Sequence, residues 1–318
     1  MKKLKNILAV LVVGLALASC GGSEEPVFAY VPNEGAGTIS VIDVSNGTVV
    51  DTIEAGTKPR GIAASPTKKI VYVSDGKTGE LLVIDTDLRK VVSQLELGDS
   101  PEGIGVSADG KLIAAAVEED NAVVLIDAET YERLSDIPVQ GENPEHAVFS
   151  PDGQWLYVSA ENTNKVDVID VARREQVHSI EVGERPRGIG FLPDSSRAYV
   201  ASEIASEIFV IDVPNHSVIK KLKGGKFCNG VLVRPDGKRV FISNGKDATV
   251  SAIDTETDTI IGNVAVGKRP WNMAVDPTGK KFYVANGRSN SVSVTDAETM
   301  EHLYNIEVGE RPWGVVIK

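Results

Sequence analysis

The sequence predicts an all-β fold, a seven-bladed β-propeller of four-stranded antiparallel blades, and three observations lead to this prediction. Across its 318 residues the chain repeats one unit at a step of 42 residues, with a single step of 43. Self-similarity at this period indicates a repeat architecture with one supersecondary unit per repeat. Each unit holds four short β-branched runs separated by turn residues, and no stretch shows helical periodicity with caps.

The composition is that of an ordinary folded protein, with 42% hydrophobic and 25% charged residues. Asp and Glu number 45 against 33 Lys and Arg, which gives a formal charge of −12. Such an excess argues against nonspecific binding to nucleic acid or to an anionic membrane surface. Four His and two Cys are too few for a multi-cysteine metal cluster or a disulfide framework.

Residues 1–19 are predicted to be an export signal. Basic residues open the chain, and the apolar stretch Ile7–Ala18 is too short to span a bilayer comfortably. Leu17-Ala18-Ser19-Cys20 resembles the lipobox of bacterial lipoproteins. The resemblance implies cleavage before Cys20 and a lipid on its thiol; the alternative is an ordinary signal peptide with a chance cysteine.

Residues 20–26 then form a lipidated cysteine and a polar tether, and residues 27–318 form the propeller. Loss of the three lysines in residues 1–19 takes the formal charge from −12 to −15. We expect the protein at the cell envelope, anchored outside the cytoplasmic membrane. Since Gly21 rather than Asp follows Cys20, the rule for Gram-negative lipoproteins implies the outer membrane, facing the periplasm.

Two markers define the repeat. An Asp closes one apolar run of every unit, at 43, 85, 127, 170, 212, 254 and 296. A Pro opens the first strand of six units, and Cys228 fills the same slot in the remaining one. This Pro slot comprises Pro59, Pro101, Pro144, Pro186, Cys228, Pro270 and Pro312. Seven copies of each marker predict seven blades.

The first complete unit illustrates the four strands, and the two termini explain how the ring closes. Its strand-length pieces are Gly61–Ser65, Ile70–Ser74, Leu81–Asp85 and Val91–Leu97. The C-terminal segment Gly314–Lys318 supplies only one strand of a blade, while Val27–Val31, Thr38–Asp43 and Thr48–Glu54 supply the other three. Sharing one blade between the ends removes the open edges that a row of sheets would expose.

The repeated motifs resemble those of a known family. Phe282-Tyr283-Val284-Ala285-Asn286 and Ser150-Pro151-Asp152-Gly153 are similar to YVTN-type β-propeller repeats of exported bacterial and archaeal proteins. Arg269-Pro270-Trp271 and Arg311-Pro312-Trp313 resemble the last blades of propellers associated with pyrroloquinoline quinone-dependent alcohol catabolism. This resemblance implies a periplasmic protein that accompanies quinoprotein dehydrogenases. Other relatives bind haem, resemble lactonases or bind single-stranded DNA, so fold alone does not settle function.

Candidate binding residues lie where the repeats differ. In each blade the loop into strand one and the loop from strand two to strand three emerge on one face, which we call the upper face. The residue after the Pro slot lines the channel mouth there, as Arg60, Glu102, Glu145, Arg187, Asn229, Trp271 and Trp313. The second loop adds Glu34, Glu118, Glu161 and Glu203, and it carries a Gly in the other three units. Carboxylates on one side and aromatic and basic groups on the other predict a polarised mouth for a small ligand.

For the glutamates and the tryptophans of the mouth, a role without ligand binding stays open as the alternative. The glutamates would then be solvated loop charges, and the tryptophans would be plugs that pack the channel.

Two further positions break the repeat, because His146 replaces an inner-strand Gly and Cys228 replaces a Pro. Glu145, His146 and Cys228 are ligand types for copper, zinc or a haem axial bond, although the last comes from another blade. Simple packing is the alternative.

The sequence favours a binding or scaffold module for a small ligand or an envelope protein, accessory to quinoprotein metabolism by resemblance. The sequence contains no Cys-x-x-Cys-His motif, no Gly-x-Ser-x-Gly elbow and no phosphate loop, so no catalytic residue is predicted. The alternative is a metal-dependent enzyme of the lactonase or lyase type in the channel. A nucleic-acid binder is disfavoured by the charge. We expect a monomer; the sequence requires no cofactor, and pyrroloquinoline quinone or a divalent metal are the candidates.

Overall fold

The computed structural model describes residues 26–318 and consists of seven four-stranded antiparallel sheets arranged as the blades of a ring. Blades 1 to 6 each use four consecutive strands. Blade 7 combines the C-terminal strand with the first three strands, in the order β28-β1-β2-β3. The predicted all-β seven-bladed propeller, with one blade shared between the two ends, is therefore confirmed.

The strand bounds follow the repeat. Blade 7 contains β1 Phe28–Asn33, β2 Thr38–Asp43, β3 Thr48–Glu54 and β28 Val316–Ile317; blade 1 contains β4 Pro59–Ala64, β5 Ile70–Asp75, β6 Glu80–Asp85 and β7 Lys90–Glu96; blade 2 contains β8 Pro101–Val106, β9 Leu112–Val117, β10 Ala122–Asp127 and β11 Arg133–Pro138. Blade 3 contains β12 Pro144–Phe149, β13 Trp155–Ala160, β14 Lys165–Asp170 and β15 Glu175–Glu181; blade 4 contains β16 Pro186–Phe191, β17 Arg197–Ser202, β18 Glu207–Asp212 and β19 Ser217–Lys223. Blade 5 contains β20 Cys228–Val233, β21 Arg239–Asn244, β22 Thr249–Asp254 and β23 Thr259–Ala265; blade 6 contains β24 Pro270–Val275, β25 Lys281–Asn286, β26 Ser291–Asp296 and β27 His302–Glu307.

The closing strand is shorter than the sequence suggested. Only Val316–Ile317 pairs as a strand with β1, and Pro312 adds an isolated bridge to Asn33. The innermost strands contact one another in ring order, and β28 contacts both β24 and β4. The circle is thus closed at the seam between the two ends.

The core lies between the blades. Seven buried apolar clusters occupy the seven interfaces between neighbouring blades of the described chain. A tyrosine recurs in the second strand of five blades and is fully buried in each, at Tyr30, Tyr72, Tyr157, Tyr199 and Tyr283. Because every cluster joins two sheets, no blade can bury its apolar faces alone.

Glycine lets the inner strands crowd around the axis. A Cβ on Gly61 would overlap the carbonyl oxygen of Glu102 in the next blade, and Gly188 and Gly230 face their neighbours in the same way. Close approach of two backbones is a common reason for glycine inside a strand. Within residues 26–318 we find no helical segment of the length and apolarity that a bilayer span needs.

The predicted signal, the lipidated Cys20 and nearly all of the tether lie outside the described residues.

Candidate functional site at the channel mouth

A cavity of about 400 Å³ opens at the channel mouth on the upper face. It is lined by seven of the eight residues predicted for this site: Arg60, Glu102, Glu145, Arg187, Asn229, Trp271 and Trp313. The remaining one, His146, is not among the lining residues. The fold brings the seven together because each follows the Pro slot at the start of an innermost strand, and these strands converge on the axis.

The predicted carboxylates converge, but they are held by arginines rather than left to solvent. Arg187 pairs through separate nitrogens with Glu145, with Glu161 at 3.3 Å and with Glu203 at 3.2 Å. Arg185 also pairs with Glu161 and, at 3.4 Å, with Glu203. Glu203 is fully buried, so it anchors the network beneath the mouth.

A second ion-pair group lies on the other side of the mouth. Arg60 donates to Glu34 Oε1 from Nε at 3.1 Å and from Nη2 at 3.0 Å, and its Nη1 pairs with Glu102. Arg311 Nη2 lies 3.4 Å from the other oxygen of Glu34, and Lys58 Nζ lies 3.9 Å from Oε1. The basic and acidic groups that the sequence predicted on separate sides of the mouth therefore form ion pairs with each other.

Three carboxylates come close to one another. Single oxygens of Glu118, Glu145 and Glu161 lie within 4.8 Å of each other. Glu118 accepts hydrogen bonds from Ser100 Oγ at 3.1 Å and from Asn143 Nδ2 at 3.0 Å. These bonds fix its orientation and partly compensate for the repulsion between neighbouring negative charges.

The environments of Glu145 and Glu161 move their pKa values in opposite directions. Burial opposes ionisation of Glu145, but the charges of Arg187, His146 and Arg60 outweigh it and lower the pKa. Burial raises the pKa of Glu161, and the charge of Glu145 adds to this, while Arg187 and Arg185 oppose it. Of these two, Glu145 is thus the one that stays ionised most readily, and Glu161 is the one that takes up a proton first.

Four polar side chains of the mouth region have buried atoms without a hydrogen bond, namely Glu34, Glu102, His146 and Arg185, and the first and last of these atoms lie in ion pairs. Glu102 is 1% exposed; its carboxylate pairs with Arg60 through Oε1, and its Oε2 accepts no hydrogen bond. Both ring nitrogens of His146 are shielded and lack a hydrogen bond of good geometry. A buried acceptor without a hydrogen bond costs free energy, which a donor group in the cavity would offset.

Trp313 and His146 form one stacked pair, with ring centroids 5.5 Å apart and planes 19° apart. Burial lowers the pKa of His146, with Arg187 adding to the effect, although Glu145 and the Asn272 side chain oppose it. Trp271 lies elsewhere: its ring packs where a Cβ of Gly287 would lie, and the Arg269 guanidinium is 5.8 Å from the ring centroid.

The three candidate metal ligands do not meet. Cys228 is fully buried, and its Sγ lies 3.3 Å from the carbonyl oxygens of both Ser202 and Glu207. Burial raises the pKa of this thiol to about 12. The sequence left open whether Cys228 meets Glu145 and His146, and in the described residues it does not, because Cys228 belongs to an apolar cluster between blades 4 and 5.

Sequence reasoning placed Glu34 in the second loop but missed five other charged residues of the mouth, which are Lys58, Glu119, Arg185, Arg269 and Arg311. A signal for three of them was present, because an arginine stands directly before the Pro slot in three units. In all three the backbone adopts a left-handed conformation, with φ between 55° and 61°. This turn joins two blades, so its role at the mouth follows from tertiary position rather than from local pattern.

Comparisons with known proteins agree with this architecture. The family model "Lactonase, 7-bladed beta-propeller" matches residues 172–302, and the model "Cytochrome D1 heme domain" matches residues 22–146. No curated protein matches the chain significantly in sequence.

Two solved structures are similar in fold. Hydrazine synthase of Kuenenia stuttgartiensis superposes with a TM-score of 0.78 at 21% identity, covering 86% of this chain and 92% of that one. A functionally unknown protein from Desulfotomaculum acetoxidans DSM 771 gives a TM-score of 0.80 at 18% identity, covering 91% and 98%. The YVTN-type resemblance is consistent with these matches. The chain is therefore a seven-bladed β-propeller, and separate parts of it are similar to the lactonase and cytochrome D1 family models.

Proposed function

We propose that this protein is an exported, lipid-anchored binding module that holds a small polar ligand in the cavity at the channel mouth. The observation that carries the proposal is the buried, unpartnered Oε2 of Glu102 in the wall of a cavity of about 400 Å³. A volume of this size falls in the range of small-molecule sites. A ligand that donates a hydrogen bond to Glu102 would offset the cost of burying that oxygen.

The charge balance of the mouth indicates which ligands fit. Seven carboxylates meet six basic groups, counting the buried Glu203; the acids are Glu34, Glu102, Glu118, Glu119, Glu145, Glu161 and Glu203, and the bases are Lys58, Arg60, Arg185, Arg187, Arg269 and Arg311. The cluster is one positive charge short. It therefore favours a ligand that presents hydrogen-bond donors or a positive charge toward the glutamates of blades 2 and 3.

The aromatic residues give this site a floor and a side wall. Trp313 is 8% exposed and stacked on His146, so it forms part of the floor. Trp271 is more exposed and lines the same cavity, which leaves it available to contact a bound ligand. We propose that Trp271 supplies the apolar contact and that Arg269 beside it orients the ligand.

Location and partners belong to the same proposal. Cys20 would tether the propeller outside the cytoplasmic membrane, and the resemblance to propellers of quinone-dependent alcohol catabolism supports a place beside a quinoprotein dehydrogenase. Pyrroloquinoline quinone is then one ligand to test, and Trp271 offers a face for a planar ring, but its carboxylates would have to displace glutamates from the arginines of the mouth. The upper face would also meet an envelope partner protein.

A haem does not fit this channel. Within the mouth region the axial ligand would be His146, but its ring lies against Trp313 and both its nitrogens are shielded. The polar cavity wall also lacks the apolar surfaces that would enclose a macrocycle. We therefore propose no step through haem iron.

A metal-dependent hydrolase or lyase is the second candidate function. It is favoured by the cluster of Glu118, Glu145 and Glu161, whose oxygens lie within 4.8 Å, because carboxylates are ligands of hard divalent cations. The partial match to the lactonase family model points the same way. A cation there would have to displace Arg185 and Arg187 from Glu161.

A thermal-shift screen tests the binding proposal, because a ligand that binds only the folded state raises its midpoint. The panel contains small primary amines, pyrroloquinoline quinone, sugar lactones, Ca²⁺ and Mg²⁺. We expect a midpoint increase with at least one organic ligand, lost in Glu102→Gln and kept in Glu132→Gln, a control at an exposed position of the blade 2 rim. An increase that survives Glu102→Gln would contradict the proposed site. A bound ion at about one per chain, with lactone turnover, would favour the second candidate.

A further inference from the structure

A second cavity, of about 440 Å³, lies on the upper face of blades 4 to 6. Its charged lining residues are all basic, namely Arg185, Lys246, Lys268, Arg269 and Arg288, and they surround the ring of Phe227. We call this the basic cavity. In a chain with a formal charge of −12, a cavity lined by five cations and no carboxylate is a marked local reversal of charge.

The fold places pairs of cations in register here. Lys246 N–H donates to the Lys226 carbonyl at 3.1 Å, and Arg288 N–H donates to the Lys268 carbonyl at 3.1 Å. In blade 2 the equivalent bond joins Glu119 and Asp99, at 3.3 Å. The same two positions are therefore acidic in blade 2 and basic in blades 5 and 6. Since like charges opposite one another destabilise paired backbones, stability does not explain these pairs.

Three of the five cations have no carboxylate partner. Arg185 and Arg269 pair with Glu203 under the mouth. Lys246 Nζ lies 3.8 Å from the Phe227 ring centroid, which is a cation–π contact rather than an ion pair. Lys268 and Arg288 are exposed, and neither lies within ion-pair distance of a carboxylate among residues 26–318.

We propose that the basic cavity binds a small polyanion that carries two or more phosphate or carboxylate groups. Arg288 can bond such a group through two parallel N–H donors, and Lys246 and Lys268 add mobile point charges. The basic cavity adjoins the glutamate-rich mouth and shares Arg185 and Arg269 with it, while Lys246, Lys268 and Arg288 line the basic cavity and not the mouth. A polyanion here would lie near Arg185, which is also the ion-pair partner of Glu161 in the mouth.

Isothermal titration of the purified protein with pyrophosphate and with citrate, at low ionic strength, tests the proposal. We expect binding of at least one of the two, with an affinity that falls as salt is added. The two titrations also distinguish a phosphate ligand from a carboxylate ligand. Lys268→Glu combined with Arg288→Glu should weaken binding by at least tenfold.

Lys90→Glu combined with Lys238→Glu is the matched control, because it changes the net charge equally at exposed lysines outside both cavities. The control should bind as the parent does. Equal weakening in both double variants, or no binding of either anion, would overturn the proposal. Binding of heparin without binding of either small anion would overturn it as well, since that result shows diffuse attraction. Failure of the mouth-ligand screen leaves these outcomes unaffected.

Discussion

The indole of Trp313 lies nearly parallel to the imidazole of His146, with 5.5 Å between ring centroids. Trp313 leads into the closing strand of blade 7, and His146 is in β12 of blade 3. Two blades separate these on one side of the ring and three on the other, so the contact crosses the channel. His146 occupies the position that is glycine in five other blades, and the space it fills is matched by a tryptophan opposite.

Trp313→Ala should destabilise the fold more than Trp271→Ala. Trp313 is 8% exposed and stacked, so its removal leaves a cavity, and we expect the free energy of unfolding to fall by about 3–5 kcal/mol. Trp271 is more exposed, and its loss should cost less. Urea denaturation of both variants measures this difference. Equal and small losses would show that Trp313 is not a structural plug.

Glu145 and Glu161 should contribute to stability with opposite dependence on pH. The raised pKa of Glu161 stabilises the fold below the unfolded carboxyl pKa of about 4.3, and this contribution is lost as pH rises through the folded value. The lowered pKa of Glu145 stabilises above that range and is lost as pH falls through its folded value.

Substitution tests this difference at pH 7. We expect Glu145→Gln to lower the free energy of unfolding by about 3 kcal/mol, because it leaves Arg187 short of a buried partner. Glu161→Gln mimics the protonated form and should cost clearly less. Unfolding measured from pH 4 to pH 8 checks both variants, and a larger loss for Glu161→Gln would contradict the assignment.

Gly61→Ala should be harmful where Gly314→Ala is tolerated. A Cβ on Gly61 would overlap the Glu102 carbonyl oxygen, a backbone atom that cannot move aside. At the equivalent Gly314 the nearest atom is a side-chain carbon of Ile62 at 3.4 Å, an ordinary contact. We expect a cost of about 1–3 kcal/mol for the first and little for the second, by thermal unfolding. Similar costs at both positions would refute the crowding argument.

Cys228 should resist alkylation in the folded protein. Burial raises its thiol pKa to about 12, so almost none of it is thiolate at neutral pH. Iodoacetamide labelling followed by mass spectrometry should be slow in buffer and rapid in denaturant. Fast labelling of folded protein would mean that the interface between blades 4 and 5 opens readily.

Cys20→Ser should abolish membrane attachment if the lipobox interpretation is right. Without the thiol no lipid can be added, so the variant should appear as soluble or unprocessed protein in cell fractionation. A processed Cys20→Ser protein that stays in the membrane fraction would show that something other than a lipid on Cys20 holds it there.

The repeat spacing in the sequence was enough to predict the seven-bladed architecture, because each blade is a local unit of four strands whose markers recur every 42 residues. The same spacing placed Arg60, Glu102 and Trp271 at one mouth, since equivalent positions in a ring converge on its axis. The shared blade followed from the strands missing at each end.

The tertiary structure decided which side chains bond to which. Arg187 pairs with carboxylates of its own blade and of the neighbouring blade, and Trp313 meets His146 across the channel. Cys228 broke the pattern as clearly as His146 did, yet its thiol packs between blades while the His146 ring reaches the channel. A repeat fixes where each backbone position lies, but pairing depends on side-chain length and direction across the ring.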